Sequence, residues 1–96
     1  MKHLFVISIA LGIAVANFDA GFEAYHQKDY PTAIKVWETS CEDGDSRACN
    51  VLALMYDNGE YVLQNRATAK TYYKKACDQG DRVGCKFYER IKAQGL

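Results

Sequence analysis

A repeat of 36 residues constrains this chain more than any other feature of its sequence. Residues 32–49 and 68–85 share six identical residues out of eighteen when they are compared at that offset. The identical positions are Thr32/Thr68, Ala33/Ala69, Cys41/Cys77, Gly44/Gly80, Asp45/Asp81 and Cys49/Cys85. Because a period of roughly 20–50 residues is typical of solenoids and other repeat arrays, we expect stacked copies of one structural unit.

The spacing of apolar residues within each unit is helical. Apolar side chains recur every three or four residues in Tyr30–Glu42 and again in Ala67–Asp78, as expected of amphipathic helices. A further helix precedes each of these, over Asp19–Gln27 and Arg47–Asp57, and Phe87 lies in a fifth helix near the C-terminus. The predicted fold class is therefore all-α, with antiparallel helix pairs and no strands.

The connections inside this pattern are short. Gly44 and Gly80 stand where the end of a helix favours a left-handed residue, and each is followed at once by an aspartate. Asp45 and Asp81 are good N-caps, so each is predicted to start the next helix directly after the turn.

The first 16 residues have the layout of a secretory signal peptide. A positive start is followed by the apolar run Leu4–Val15 and the small-residue exit Ala14-Val15-Ala16, whereas a membrane-spanning helix needs about 20 apolar residues. We expect cleavage near Asn17, a mature chain of residues 17–96, no membrane contact after cleavage, and a periplasmic or secreted protein. The alternative is an uncleaved N-terminal anchor.

Charge and cysteine content narrow the possible functions. Twelve Lys/Arg balance twelve Asp/Glu, so the chain lacks the excess positive charge that draws proteins to nucleic acids or anionic membranes. Four cysteines in so short a chain indicate two disulfides if the compartment is oxidising. His26 is the only histidine after the expected signal peptide, and the cysteines lack the Cys-x2-Cys spacing usual in zinc sites. We therefore expect neither a metal nor another cofactor.

Three stretches of the sequence carry a family resemblance. Residues 49–59, residues 69–77 and the sequence Gly80-Asp81 ahead of Cys85 together resemble one whole repeat of the Sel1-like family, whose members are relatives of the tetratricopeptide repeat. The cysteine pattern is similar to that of the secreted, cysteine-rich Sel1-like proteins of the Helicobacter type. This resemblance implies a short right-handed α-solenoid in one domain. Its units would span residues about 17–48 and 49–84, followed by a C-terminal capping helix over residues 85–96.

The resemblance also implies how the cysteines pair. Four cysteines alone allow three pairings. In proteins of this family each pair joins the end of one repeat's second helix to the start of the next helix, which implies the disulfides Cys41–Cys49 and Cys77–Cys85.

The resemblance implies a scaffold that binds a protein or a peptide on the concave face of its stacked helix pairs. Eight side chains on the first helices of the pairs would line that face if the helices are placed as in the tetratricopeptide repeat. These groove candidates are Phe22, Tyr25, His26, Asn50, Leu54, Asp57, Lys86 and Arg90. The register of the first helix is open, because either Gly21 and Ala24 or Phe22 and Tyr25 could turn inward. We expect the scaffold to be a monomer.

A second hypothesis comes from the same relatives, some of which are labelled penicillin-binding proteins or β-lactamases. It is the binding or hydrolysis of β-lactams or cell-wall peptides. A serine β-lactamase needs the arrangement Ser-x-x-Lys, but the third residue after Ser40 is Asp43 and the third after Ser46 is Cys49. A nucleophile with a partner base would distinguish the enzyme from the scaffold, and the sequence offers no catalytic residue of that kind.

Overall fold

The fold is known from a computed structural model that describes residues 17–96. The expected signal peptide, residues 1–16, lies outside the described residues. Within residues 17–96 the chain forms five α-helices and no strand, which confirms the all-α prediction. The helices are α1 (Phe18–His26), α2 (Tyr30–Glu42), α3 (Ser46–Asn58), α4 (Arg66–Asp78) and α5 (Arg82–Ala93).

Every one of these helices begins at a side-chain N-cap. A carboxylate or amide oxygen accepts a hydrogen bond from a backbone N–H of the first turn, which otherwise has no partner within the helix. The capping residues are Asn17, Asp29, Asp45, Asn65 and Asp81. Because Asp81 caps α5, that helix begins at Arg82, ahead of the boundary at residue 85 that we drew for the capping helix.

The two Gly-Asp turns have the conformation expected from the sequence. Gly44 and Gly80 have φ angles of 101° and 94°, in the left-handed region that glycine adopts without strain. Each turn therefore reverses the chain within a few residues and brings the next helix against the previous one.

Consecutive helices pack against each other along the whole described chain, and α3 also contacts α5. The first core cluster surrounds Trp37, which is fully buried, together with Leu52 and Met55 of α3. The second cluster contains Tyr73 of α4 and Ile91 of α5, both almost completely buried. This arrangement of stacked antiparallel pairs is the helical repeat that the sequence predicts.

The register of α1 is settled by its contact with Trp37. Gly21 and Ala24 are the buried residues of this helix, whereas Phe22 and Tyr25 are only half-buried. A Cβ atom added at Gly21 would overlap the indole ring of Trp37, so the ring occupies space that only glycine leaves free. The indole Nε1 donates a hydrogen bond to the Phe18 carbonyl oxygen at 3.0 Å, which fixes the ring against α1.

Two disulfides join neighbouring helices, Cys41–Cys49 between α2 and α3 and Cys77–Cys85 between α4 and α5. This confirms the pairing that the family resemblance implies. Each bridge spans a Gly-Asp turn and closes a loop of about nine residues, which should contribute roughly 2.5 kcal/mol to stability on the chain-entropy account. Within residues 17–96, no helix combines the length and the hydrophobicity of a membrane-spanning segment.

Candidate binding face

A shallow apolar cavity of about 150 Å³ lies between α1 and α3. Leu54 of α3 is 44% exposed where it lines this cavity. The residues that line the cavity are Phe22, Tyr25, Trp37, Val51, Leu54, Met55 and Glu60. All but the last are apolar or aromatic, so the cavity is suited to an apolar side chain of a ligand.

Helical spacing explains why these side chains meet. Phe22 and Tyr25 are three residues apart on α1, as are Val51 and Leu54 on α3, so each pair lies on one side of its helix. Gly21 packs on Trp37, and the rings of Phe22 and Tyr25 lie 5.2 Å and 6.0 Å from the Trp37 ring at the same cavity.

The loop between α3 and α4 closes one end of the cavity. Tyr61 of this loop stacks on Tyr30 with ring centroids 3.6 Å apart, and its ring lies 5.8 Å from that of Tyr25. The hydrogen bond with Tyr61 is the main cause that raises the pKa of Tyr30 to about 12. The stacked tyrosines tie the loop to the first helix pair and hold Glu60 at the cavity rim.

Three of the eight groove candidates line the cavity, namely Phe22, Tyr25 and Leu54. His26 is exposed at the end of α1, with its ring stacked 6.1 Å from that of Phe22. The other four lining residues, Trp37, Val51, Met55 and Glu60, are not among the groove candidates. Val51 could have been found from its spacing of three residues to Leu54.

The other candidates lie towards α5. The Asn50 amide donates to the Asp81 carboxylate at 3.0 Å, and the Asp57 carboxylate pairs with the Arg66 guanidinium at 3.0 Å. These contacts tie α3 to the start of α5 and to α4. Lys86 and Arg90 are exposed on α5, and the Arg90 guanidinium lies 4.8 Å from the centroid of the Phe87 ring.

Tyr73 of α4 is a buried tyrosine close to the charges of Asp57 and Arg90. Tyr73 is 1% exposed, and its hydroxyl has no hydrogen-bond partner among the described residues. Burial is the main cause that raises the pKa of Tyr73 to about 12, and the negative charge of Asp57 adds to it. The neutral hydroxyl is therefore favoured in the folded state, but it remains unsatisfied.

We expect Tyr73→Phe to leave the protein as stable as the wild type or up to about 1 kcal/mol more stable, because it removes a buried hydroxyl without a partner. The pH dependence should also change. A tyrosine whose pKa is raised to about 12 on folding contributes stability below its ordinary pKa of 10, and this contribution is lost as the pH rises from 10 towards 12. Urea unfolding at about pH 8 and about pH 11 should show a smaller alkaline loss in Tyr73→Phe. Destabilisation by more than about 1 kcal/mol at pH 8 would show that the hydroxyl has a partner.

The positions of Ser40 and Ser46 bear on the β-lactamase hypothesis. Ser40 is 3% exposed, and the Ser46 hydroxyl donates to the Asp81 carboxylate at 3.0 Å. Neither placement favours a serine nucleophile. Within residues 17–96, no group of three or more His, Cys, Asp or Glu side chains is arranged to hold a metal ion.

A comparison with protein families gives a match that covers the second helix pair, α3 and α4. The family model of the Sel1 repeat matches residues 46–81, from the first residue of α3 to the N-cap of α5. A search of the curated proteins and a search of the solved structures found no match. Sel1 repeats generally mediate contacts between proteins. The chain is therefore a helical repeat protein whose residues 46–81 are similar to a Sel1 repeat.

Proposed function

We propose that this protein is a scaffold that binds a protein or peptide partner through the face formed by α1, α3 and α5, here called the binding face. The observation that carries the proposal is the apolar cavity between α1 and α3, with Leu54 exposed in it. A large aliphatic side chain in a concave, mostly apolar site is a typical anchor point for an apolar side chain of a partner.

The rigidity of the surroundings supports this proposal. The cavity is formed by two helices that a buried tryptophan and a disulfide hold in place, and the stacked Tyr30 and Tyr61 fix the neighbouring loop. A preformed site loses little conformational entropy when a partner binds, so a small cavity can still contribute usefully to affinity.

We also propose that the scaffold works in an oxidising compartment, in the periplasm or outside the cell. Two disulfides support this, because disulfides are rare in proteins that stay in a reducing cytosol.

The binding face can be tested by selecting partners from a display library of random peptides of about twelve residues, with the oxidised protein as bait. Selected peptides should share an apolar residue. Leu54→Glu places a charge in the cavity and should weaken their binding by about 10-fold or more, since an apolar anchor would then face a carboxylate. Fluorescence anisotropy with labelled peptides measures the change in Kd.

Leu63→Glu provides the matched control, because Leu63 is 90% exposed and is not among the residues that line the cavity. It should leave the Kd within about twofold of the wild type. Equal losses in the two variants, with helicity preserved, would place the binding site elsewhere.

A further inference from the structure

The charged residues of this protein are unevenly distributed along the repeat. Residues 17–45 carry seven Asp/Glu and two Lys, a net charge of −5, whereas residues 66–96 carry eight Lys/Arg and three Asp/Glu, a net charge of +5. The overall charge is close to zero only because the two ends cancel. The charge of the repeat therefore passes from an acidic first helix pair, α1 and α2, to a basic last pair, α4 and α5.

Part of the positive charge forms one stripe on α5. Arg82, Lys86 and Arg90 follow each other at intervals of four residues, so they lie along one side of the helix. All three are exposed, and none of them forms an ion pair within residues 17–96. By contrast, Lys74 and Lys92 are paired with Asp78 and Glu89. The stripe is therefore a positive surface whose charge has no counterpart in the described part of the chain.

The repeat places this stripe on the same face as the cavity. Arg90 lies 36 residues after Leu54, so the two occupy equivalent positions on α5 and α3. Lys86 is related in the same way to Asn50, whose amide already contacts Asp81 at the start of α5. Packed helices lie about 8–10 Å apart, so an extended peptide covers the distance from Leu54 to Arg90 in about three residues.

We propose that the partner segment is an acidic peptide with one apolar anchor, and that its carboxylates bind the Arg82–Lys86–Arg90 stripe while the anchor enters the cavity. The acidic residues lie three or four positions from the anchor. This inference rests on the proposed function, since it uses the same binding face. It adds the chemistry of the partner and a strong dependence of binding on salt, because exposed charges attract each other less as ionic strength rises.

The test uses the same random-peptide library with three baits. The wild type should enrich peptides in which Asp or Glu lies three or four positions from an apolar residue. Lys86→Glu combined with Arg90→Glu should lose this enrichment and select Lys or Arg at those positions. Lys74→Glu combined with Lys92→Glu changes the net charge equally and should keep the preference of the wild type, because these lysines lie outside the stripe.

Affinity measurements complete the test. Replacing the acidic residues of a selected peptide by Gln should raise its Kd by about 10-fold at about 0.05 M NaCl and by less than about twofold at about 0.5 M NaCl. Peptides that bind in a Leu54-dependent way without any preference for Asp or Glu would overturn this inference and leave the proposed function standing. Binding that is insensitive to Leu54→Glu would overturn both this inference and the proposed function. Equal effects of the two charge-reversal baits would overturn this inference, because binding would then depend on the net charge of the protein and not on the stripe.

Discussion

Reduction of both disulfides is expected to destabilise this protein strongly. The two bridges together contribute about 5 kcal/mol, because each closes a loop of about nine residues and adds roughly 2.5 kcal/mol. A domain of about 80 residues has a free energy of unfolding of roughly 4–12 kcal/mol, so the bridges account for a large share of it. Urea unfolding followed by circular dichroism, with and without a phosphine reductant, should show a large drop in the midpoint.

The two bridges should not contribute equally. Cys41 and Cys49 are fully buried in the core cluster around Trp37, whereas Cys77 and Cys85 are half-buried. Replacing Cys41 and Cys49 together by Ala should therefore cost more than the same change at Cys77 and Cys85, because it also leaves a cavity in the core. An unchanged urea midpoint in protein whose four thiols are shown to be free by mass would contradict this account.

Gly21→Ala is expected to destabilise the protein by about 2–4 kcal/mol. In an ordinary exposed helix this substitution stabilises by up to about 1 kcal/mol, so the opposite sign is diagnostic. The loss is expected because the new methyl group would overlap the indole ring of Trp37, which must then move and give up its hydrogen bond to the Phe18 carbonyl oxygen. Thermal and urea unfolding of the oxidised protein measure the change.

A double-mutant cycle separates this overlap from any effect on α1 itself. In a Trp37→Leu background the smaller side chain leaves room for a methyl group, so Gly21→Ala should cost less than about 1 kcal/mol there. The same cost in both backgrounds would show that the conformation of Gly21, rather than contact with Trp37, makes glycine necessary.

The sequence predicts helix α1 but not which of its faces is buried. Periodicity places a helix there and leaves two faces possible, because the helix carries small residues on one side and aromatic residues on the other. The choice depends on Trp37, which lies in the next helix and fills the space above Gly21. Only the packing of α1 against α2 makes Gly21 and Ala24 the buried pair.

Local signals predict the two turns, and the family resemblance implies the two disulfides. Each Gly-Asp turn depends on residues within one short segment, and the turns and the implied cysteine pairs agree with the structure. The closure of the cavity depends instead on Tyr61, which reaches back over about 30 residues to stack on Tyr30. Because Tyr61 lies in the loop between α3 and α4, the helical pattern gives no indication of where its ring packs.

Nuclear magnetic resonance of the isotope-labelled, oxidised protein titrated with a selected peptide tests the binding face most directly. The account predicts saturable shift changes that cluster at the amides of Phe22, Leu54 and Arg90, on α1, α3 and α5. Saturable changes that cluster instead at Lys35 and Thr71, exposed residues of α2 and α4, would contradict it.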